Sequence, residues 1–193
     1  MSQPACLLAP AALLASVALI ALVAAALSPA LAQPRPLHPP VHPAPVRPAN
    51  APRPIGKWDD WQAATHQEGG ALVCYAFTRA SASAPALPGR GDVVLTVTQR
   101  PAGGRDAVAI SAGFAYAAGA EASVQVDGAQ LPFYTANRSA FARDGRAVVA
   151  ALERGRSAVA RSPGPRQAQV SDTFSLRGFT PAYAAINRAC PAR

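Results

Sequence analysis

Four groups of side chains in this sequence have the types and spacing to do chemistry. Cys74 and Cys190 could form a covalent bridge, and His66 could act as a general base. Asp59 and Asp60 could share acid–base work, and Arg154, Arg156, Arg161 and Arg166 could hold an anion. His66 is the only histidine after residue 42, so a Ser-His-Asp arrangement would have to use it. No serine sits in a G-x-S-x-G elbow, which leaves that reading resting on one side chain. The segment Trp58-Asp59-Asp60-Trp61 reads as a first short strand, where neighbouring carboxylates point to opposite faces and cannot converge on one substrate. His38 and His42 lie in a Pro-rich run with no third metal ligand nearby. Pro101-Ala102-Gly103-Gly104-Arg105 lacks the lysine and the spacing of a phosphate loop. Neither a metal, a cofactor nor a catalytic set is therefore expected.

The cysteines and arginines carry more. Cys190 ends a segment, Ser171 to Cys190, that reads as a strand, a Gly turn and a helix. Thr180 is placed to cap that helix, with Pro181 in its first turn. Tyr183, Ile186 and Cys190 recur at helical spacing, so the thiol points where the apolar side chains point. The partner expected for it is Cys74, inside the apolar run Ala71 to Phe77. The net charge of +8 and an isoelectric point near 10.4 have two readings: attraction to anionic partners, such as a glycan or a lipid headgroup, or a composition bias in which Ala, Arg, Pro and Gly rise together, which the scatter of the charges favours. Seventeen of the eighteen basic residues are arginine, and most are scattered; Arg154 to Arg166 is the one grouping. Stacking of nucleic-acid bases would need exposed aromatics beside arginines. The nearest cases are Arg177 with Phe179, and Arg138 with Phe141 and Tyr134. These aromatics alternate as core residues do, so no nucleic acid is expected.

The elements that must position these residues follow from composition and period. Ala5 to Leu27 is nearly unbroken apolar sequence and leads to Ala30-Leu31-Ala32, an A-x-A site, so residues 1–32 read as a secretory signal peptide. No Lys or Arg precedes it, and a retained segment would be long enough to anchor the protein in a membrane. Cys6 falls within the removed part. Residues 33–54 hold nine prolines and no acid, and read as an extended spacer. The folded domain is expected over 55–193. Export to an oxidising compartment, periplasmic or beyond, favours pairing of the two remaining cysteines.

Within the domain, Thr65 to Gly70 reads as a loop around His66, followed by a strand over Leu72 to Thr78. Asp92 to Arg100 alternates cleanly, with Val93, Leu95 and Val97 on one face. Ala107 to Phe114 is another strand, in which Gly113 permits a close approach. Asp127-Gly128 between apolar runs marks a hairpin, and Asp144 is placed to cap a helix over Gly145 to Arg154. Ser157 to Arg161 and Gln167 to Leu176 complete the strands. Many short strands, turns about every ten residues and two short helices predict a mainly β protein, an antiparallel sandwich.

One order of motifs is distinctive. Gly56-x-Trp58-x-x-Trp61 precedes Val73-Cys74-Tyr75, then an alternating strand ending in Arg100-Pro101, Gly113-Phe114-x-Tyr116 and Val126-Asp127-Gly128. Asp172-Thr-Phe-Ser-Leu-x-Gly178-Phe179-Thr180 and a helix ending in cysteine close the series. This resembles the invasion-associated locus B family of exported alphaproteobacterial proteins, over Ile55 to Cys190. The resemblance implies an immunoglobulin-like sandwich in the periplasm or envelope and no catalytic residue, with founding members tied to host-cell invasion. Cys74 and Cys190 match the family's paired positions, and Asp172, Gly178 and Phe179 its C-terminal block. The function expected is that of a non-enzymatic envelope binding or accessory protein. The competing readings are a small exported hydrolase built on His66, and an electrostatic binder of anionic envelope polymers.

Overall fold

The structure, a computed structural model, describes residues 51–192 apart from Ala102, with only the backbone of Gln167. The signal segment, Cys6, His38, His42 and all but the end of the Pro-rich run lie outside the described residues. Eleven strands and two helices follow. The strands are β1 (Arg53–Trp58), β2 (Trp61–Glu68), β3 (Ala71–Arg79), β4 (Ala82–Ala84), β5 (Val94–Gln99), β6 (Ala107–Ser111), β7 (Glu121–Val126), β8 (Ala129–Ala136), β9 (Ser139–Ala142), β10 (Ser157–Pro163) and β11 (Gln169–Ser175). The helices are α1 (Gly145–Arg154), before β10, and α2 (Phe179–Ala189), at the end.

All eleven strands belong to one sheet with antiparallel neighbours, in the order β1-β2-β3-β5-β6-β9-β8-β7-β10-β11-β4. The antiparallel β-sandwich class is borne out, and its layers are joined by hydrogen bonds into one surface. The join is at Ala80-Ser81, where β3 runs on into β4. The Ala80 N–H still donates to Val93 beside β5, at 2.9 Å, while the Ser81 N–H already donates to Thr173 on β11, at 2.8 Å. One length of chain thus pairs with β5 through its first part and with β11, far along the strand order, through its second.

Strict alternation builds the interior. On β5, Leu95, Val97 and Gln99 point inward while Val94, Thr96 and Thr98 point out. β7, β10 and β11 repeat the pattern with Ala122, Val124 and Val126, with Ala158 and Ala160, and with Val170 and Phe174. α1 lies where the sequence places it. The Asp144 carboxylate accepts from the Ala147 N–H at 3.0 Å, Val148, Val149 and Leu152 face the core, and Gly155 ends the helix. Asp127 (φ 43°) and Gly128 (φ 90°) make the expected two-residue hairpin.

Three local expectations are corrected. Trp58 to Trp61 is a hairpin between β1 and β2, with Trp58 opposite Trp61 and Asp59 at φ 45° in the turn. Turn formation wins there because Trp58 and Trp61 both pack on the core. His66 lies in β2 rather than in a loop. The hairpin turn is Gly69-Gly70, both at positive φ, which extends pairing down to Glu68 opposite Ala71. α2 is preceded by Gly178 at its N-cap (φ 86°) with no side-chain cap, and Thr180 falls inside the first turn. A Cβ at Gly178 would lie 2.0 Å from the Trp58 carbonyl oxygen, so this close approach, and not a hydroxyl, fixes where the helix begins.

The two aromatic motifs meet at that point. The Trp61 indole N–H donates to the Ser175 carbonyl at 2.9 Å, and its ring meets Phe179 edge-on at 4.7 Å between centroids. Gly56 leaves room for the Trp58 ring, which comes within 2.7 Å of where a Cβ would stand. α2 then packs across β1, β2, β3 and β5.

Candidate functional site

The Cys74–Cys190 disulfide ties the end of α2 to β3, with Cα atoms 5.9 Å apart. Cys74 reaches it because inward-facing positions of β3 face the helix, and Cys190 stands at the C-cap. A polar clasp surrounds it. Arg105 donates to the Cys190 carbonyl at 2.6 Å and to Asn187. The Asp106 carboxylate accepts from Gln99 and from the Tyr183 hydroxyl, both at 2.6 Å, and the Asp106 N–H donates to the Gln99 side chain. Burial, then the hydrogen bond to Asp106, raises the Tyr183 pKa above its ordinary value. The arrangement holds the tail of the chain; it offers no reactive thiol.

His66 lacks the partners a base needs. It faces outward from β2 opposite Val73, with its ring against the edge of Tyr75 at 5.4 Å. Among the described residues, no hydroxyl or carboxylate forms a hydrogen bond with it, and the contact required for proton transfer is missing. Asp59 meets Arg177 at the surface, 3.2 Å away, while Asp60 uses its backbone carbonyl to accept from Thr78. Among the described residues no three His, Cys, Asp or Glu side chains group as a metal site would need.

The four grouped arginines are all exposed but lie apart. Arg154 ends α1, Arg156 precedes β10, Arg161 is on the outer face of β10, and Arg166 is in a one-turn 3-10 helix, Pro165–Gln167, beyond it. Arg156 and Arg161 are separated by roughly 17 Å of strand. Of the four, Arg161 lines a hollow. This is an open groove of about 920 Å³ on the outer face of β8, β7, β10 and β11, with Ser123, Gln130, Ser162, Gln169 and Ser171 around Arg161. Gln125 accepts from Arg161 at 2.6 Å and holds the guanidinium in place. Glu121, which also lines the groove, is taken up by Arg143 at 2.7 Å.

The nearest candidates for base stacking divide. Phe179 is in the core, as expected, whereas Tyr134 is 44 % exposed and stacks on Phe141 at 5.5 Å on the outer face. Arg138, beside them in sequence, instead donates to the Gly113 carbonyl.

One pair with a strong electrostatic signature went unnoticed in the sequence. The Arg90 guanidinium makes two parallel bonds to the Asp172 carboxylate, and both side chains are under a tenth exposed. Ser83 donates to the same carboxylate at 2.7 Å, Arg90 also donates to the Ala112 carbonyl, and its guanidinium stands 5.0 Å over the Phe114 ring. The signal was present: Asp172 sits at a core-facing step between Val170 and Phe174. An acid there requires a buried cation.

A family model for the invasion associated locus B (IalB) protein matches residues 61–187. The chain belongs to the IalB family. The match runs from buried Trp61 to Asn187, the residue held by Arg105. The IalB-type fold is also seen in the crystal structure of invasion associated protein b from Bartonella henselae, at a TM-score of 0.52 and 17 % identity, over 69 % of this chain and 95 % of that one. No curated protein matches the sequence. Among the described residues of this IalB family member, no helix is long and apolar enough to cross a membrane.

Proposed function

We propose that the protein is an exported, non-enzymatic binding module of the bacterial envelope. In this reading residues 1–32 are removed on export, and the Pro-rich run spaces the domain from a surface. The disulfide suits an oxidising compartment. The partner is an anionic glycan or lipid headgroup taken in the outer groove. The observation that carries this is the groove's lining: Ser and Gln side chains around Arg161, which has no carboxylate at salt-bridge distance among the described residues, while the acid that shares the lining, Glu121, is paired with Arg143. Ser and Gln suit hydroxyl-rich ligands, and a fixed guanidinium suits a carboxylate, sulfate or phosphate. Arg154, Arg156 and Arg166 add long-range attraction, which salt screens over about 8–10 Å. The name of the similar Bartonella protein supports host contact as one setting for such binding.

The test is binding of the oxidised protein to a carboxylated oligosaccharide and to phosphatidylglycerol vesicles, at low and at physiological salt. Arg161→Gln is expected to weaken binding about tenfold to the ligand that is bound, and by more than Arg166→Gln does. Binding to the oligosaccharide alone assigns the glycan, and binding to vesicles alone assigns the headgroup. Equal binding by wild type and Arg161→Gln, or none to either probe, overturns the groove reading.

A further inference from the structure

A second hollow lies elsewhere on the sheet, six strands from Arg161 in the pairing order. It measures about 390 Å³ and is lined by Pro52, His66, Tyr75, Thr96, Thr98 and Arg100. Alternation puts Tyr75 and Phe77 on the outer face of β3, opposite Thr98 and Thr96 of β5. Their ring centroids are 5.8 Å apart and their planes lie within 32° of each other. His66, on β2, stands at one end, 5.4 Å from Tyr75 and turned by 69°. Beyond the threonines come Ala109 and Ala107 of β6, so no bulky side chain walls off that flank. The result is a pair of half-buried rings beside a low shelf of Thr and Ala.

This surface is polar without open charge. Arg100, the one cation of the lining, is paired with Glu68 at 3.0 Å. Arg79, the next outward position after Phe77, is paired with Asp92 at 3.0 Å. Burial raises the pKa of Tyr75, whose hydroxyl stays neutral. Among the described residues, the side chains of His66, Tyr75, Thr96 and Thr98 form no hydrogen bond, and each keeps its donor or acceptor for water or a ligand. A wholly apolar partner would strand those groups, at a cost in free energy. An anion would find its cations already taken. A neutral sugar chain matches both halves, with the C–H faces of its rings on the aromatic rings and its hydroxyls on Thr and His. A few placed polar groups around an apolar bed are the usual makeup of a ligand site.

We infer that the outer face of β3 and β5 binds an uncharged glycan chain. Successive sugar rings lie on Tyr75 and Phe77, and their hydroxyls reach His66, Thr96 and Thr98. The site is separate from the Arg161 groove, and either can fail without the other.

The test is calorimetric titration of the full exported chain, disulfide intact, with cellohexaose and with N-acetylchitohexaose. Binding to at least one is expected, with the same affinity at low and at physiological salt. Tyr75→Ala and Phe77→Ala should each weaken it about tenfold. Tyr75→Phe keeps the ring and should stay within about threefold of wild type. Arg161→Gln should change nothing. In the wild-type protein the bound sugar should shift the Tyr75, Phe77 and His66 resonances while the core ring Phe174 stays in place, a readout independent of any variant. Binding to neither sugar, affinity that collapses with salt, or resonance shifts that spare Tyr75 and Phe77 would overturn the inference. So would binding to phosphatidylcholine vesicles in place of the sugars, which assigns the face to a membrane. Ring shifts that follow protein concentration alone, without sugar binding, assign it to a second copy and overturn it too.

Discussion

Arg90 and Asp172, 82 residues apart, meet through paired hydrogen bonds of 2.8 and 2.7 Å inside the protein. Removing one partner strands the other's charge away from water. Asp172→Ala is expected to cost about 3–5 kcal/mol, read as a fall in the urea midpoint. The Arg90→Met/Asp172→Leu double variant should recover most of this, since apolar replacements leave no orphaned charge. A single variant as stable as wild type would show that the pair is well hydrated in solution.

The disulfide closes a loop whose ends are 116 residues apart. In the chain-entropy model such a closure contributes about 5 kcal/mol. Cys74→Ser should therefore lose about that amount under oxidising conditions, and in reducing buffer it should match reduced wild type. Thiol labelling of the unfolded, unreduced exported protein is expected to find no free thiol. Equal oxidised stabilities of variant and wild type would contradict the bridge.

Gly178 tests the contact between the two aromatic motifs. Gly178→Ala adds a Cβ at positive φ and within 2.0 Å of the Trp58 carbonyl. The loss should be about 2–4 kcal/mol, with a blue-to-red shift of Trp emission as Trp58 and Trp61 are prised from α2. Gly69→Ala shares the positive φ but meets nothing within 4 Å, so it should cost about 1 kcal/mol. Similar losses at the two sites would mean that backbone strain alone, and not the contact, sets the requirement.

Alkaline pH should destabilise the fold through its partly buried tyrosines. Tyr183 and Tyr116 both have raised pKa values, chiefly through burial, so the native state holds their protons more tightly than the unfolded chain. The sign follows: their contribution is complete below about pH 10 and is lost as pH rises through the native values. A chemical-denaturation series across that range should show stability falling, and Tyr183→Phe should make the decline shallower. An unchanged slope in that variant would place the alkaline loss elsewhere.

The legible parts of this chain were those with a local period or a local turn. The alternation of Asp92 to Arg100, the Asp127-Gly128 hairpin and the Asp144 cap are each fixed by residues within a few positions, and each stands as read. The pairing of Cys74 with Cys190 was legible because so few cysteines exist to choose from. Thr180 misled because a hydroxyl beside a helix is a good cap in isolation, whereas the start of α2 answers to the Trp58 carbonyl across the fold. The polar neighbours of His66 favour a loop locally, yet the last residues of β2, from Thr65 to Glu68, are partly or fully exposed on both faces and tolerate them.

The sequence by itself determined the class of the protein, its two helices, its covalent tie and its family resemblance, because period, cap residues and motif order are properties of short stretches. Tertiary structure alone decided that β3 runs on into a strand that pairs with β11, and that Arg161 stands apart from its neighbours in a groove. It also decided that Arg90 is the partner of Asp172. Each of these depends on which distant strands lie side by side and in what register, and no local rule carries that information.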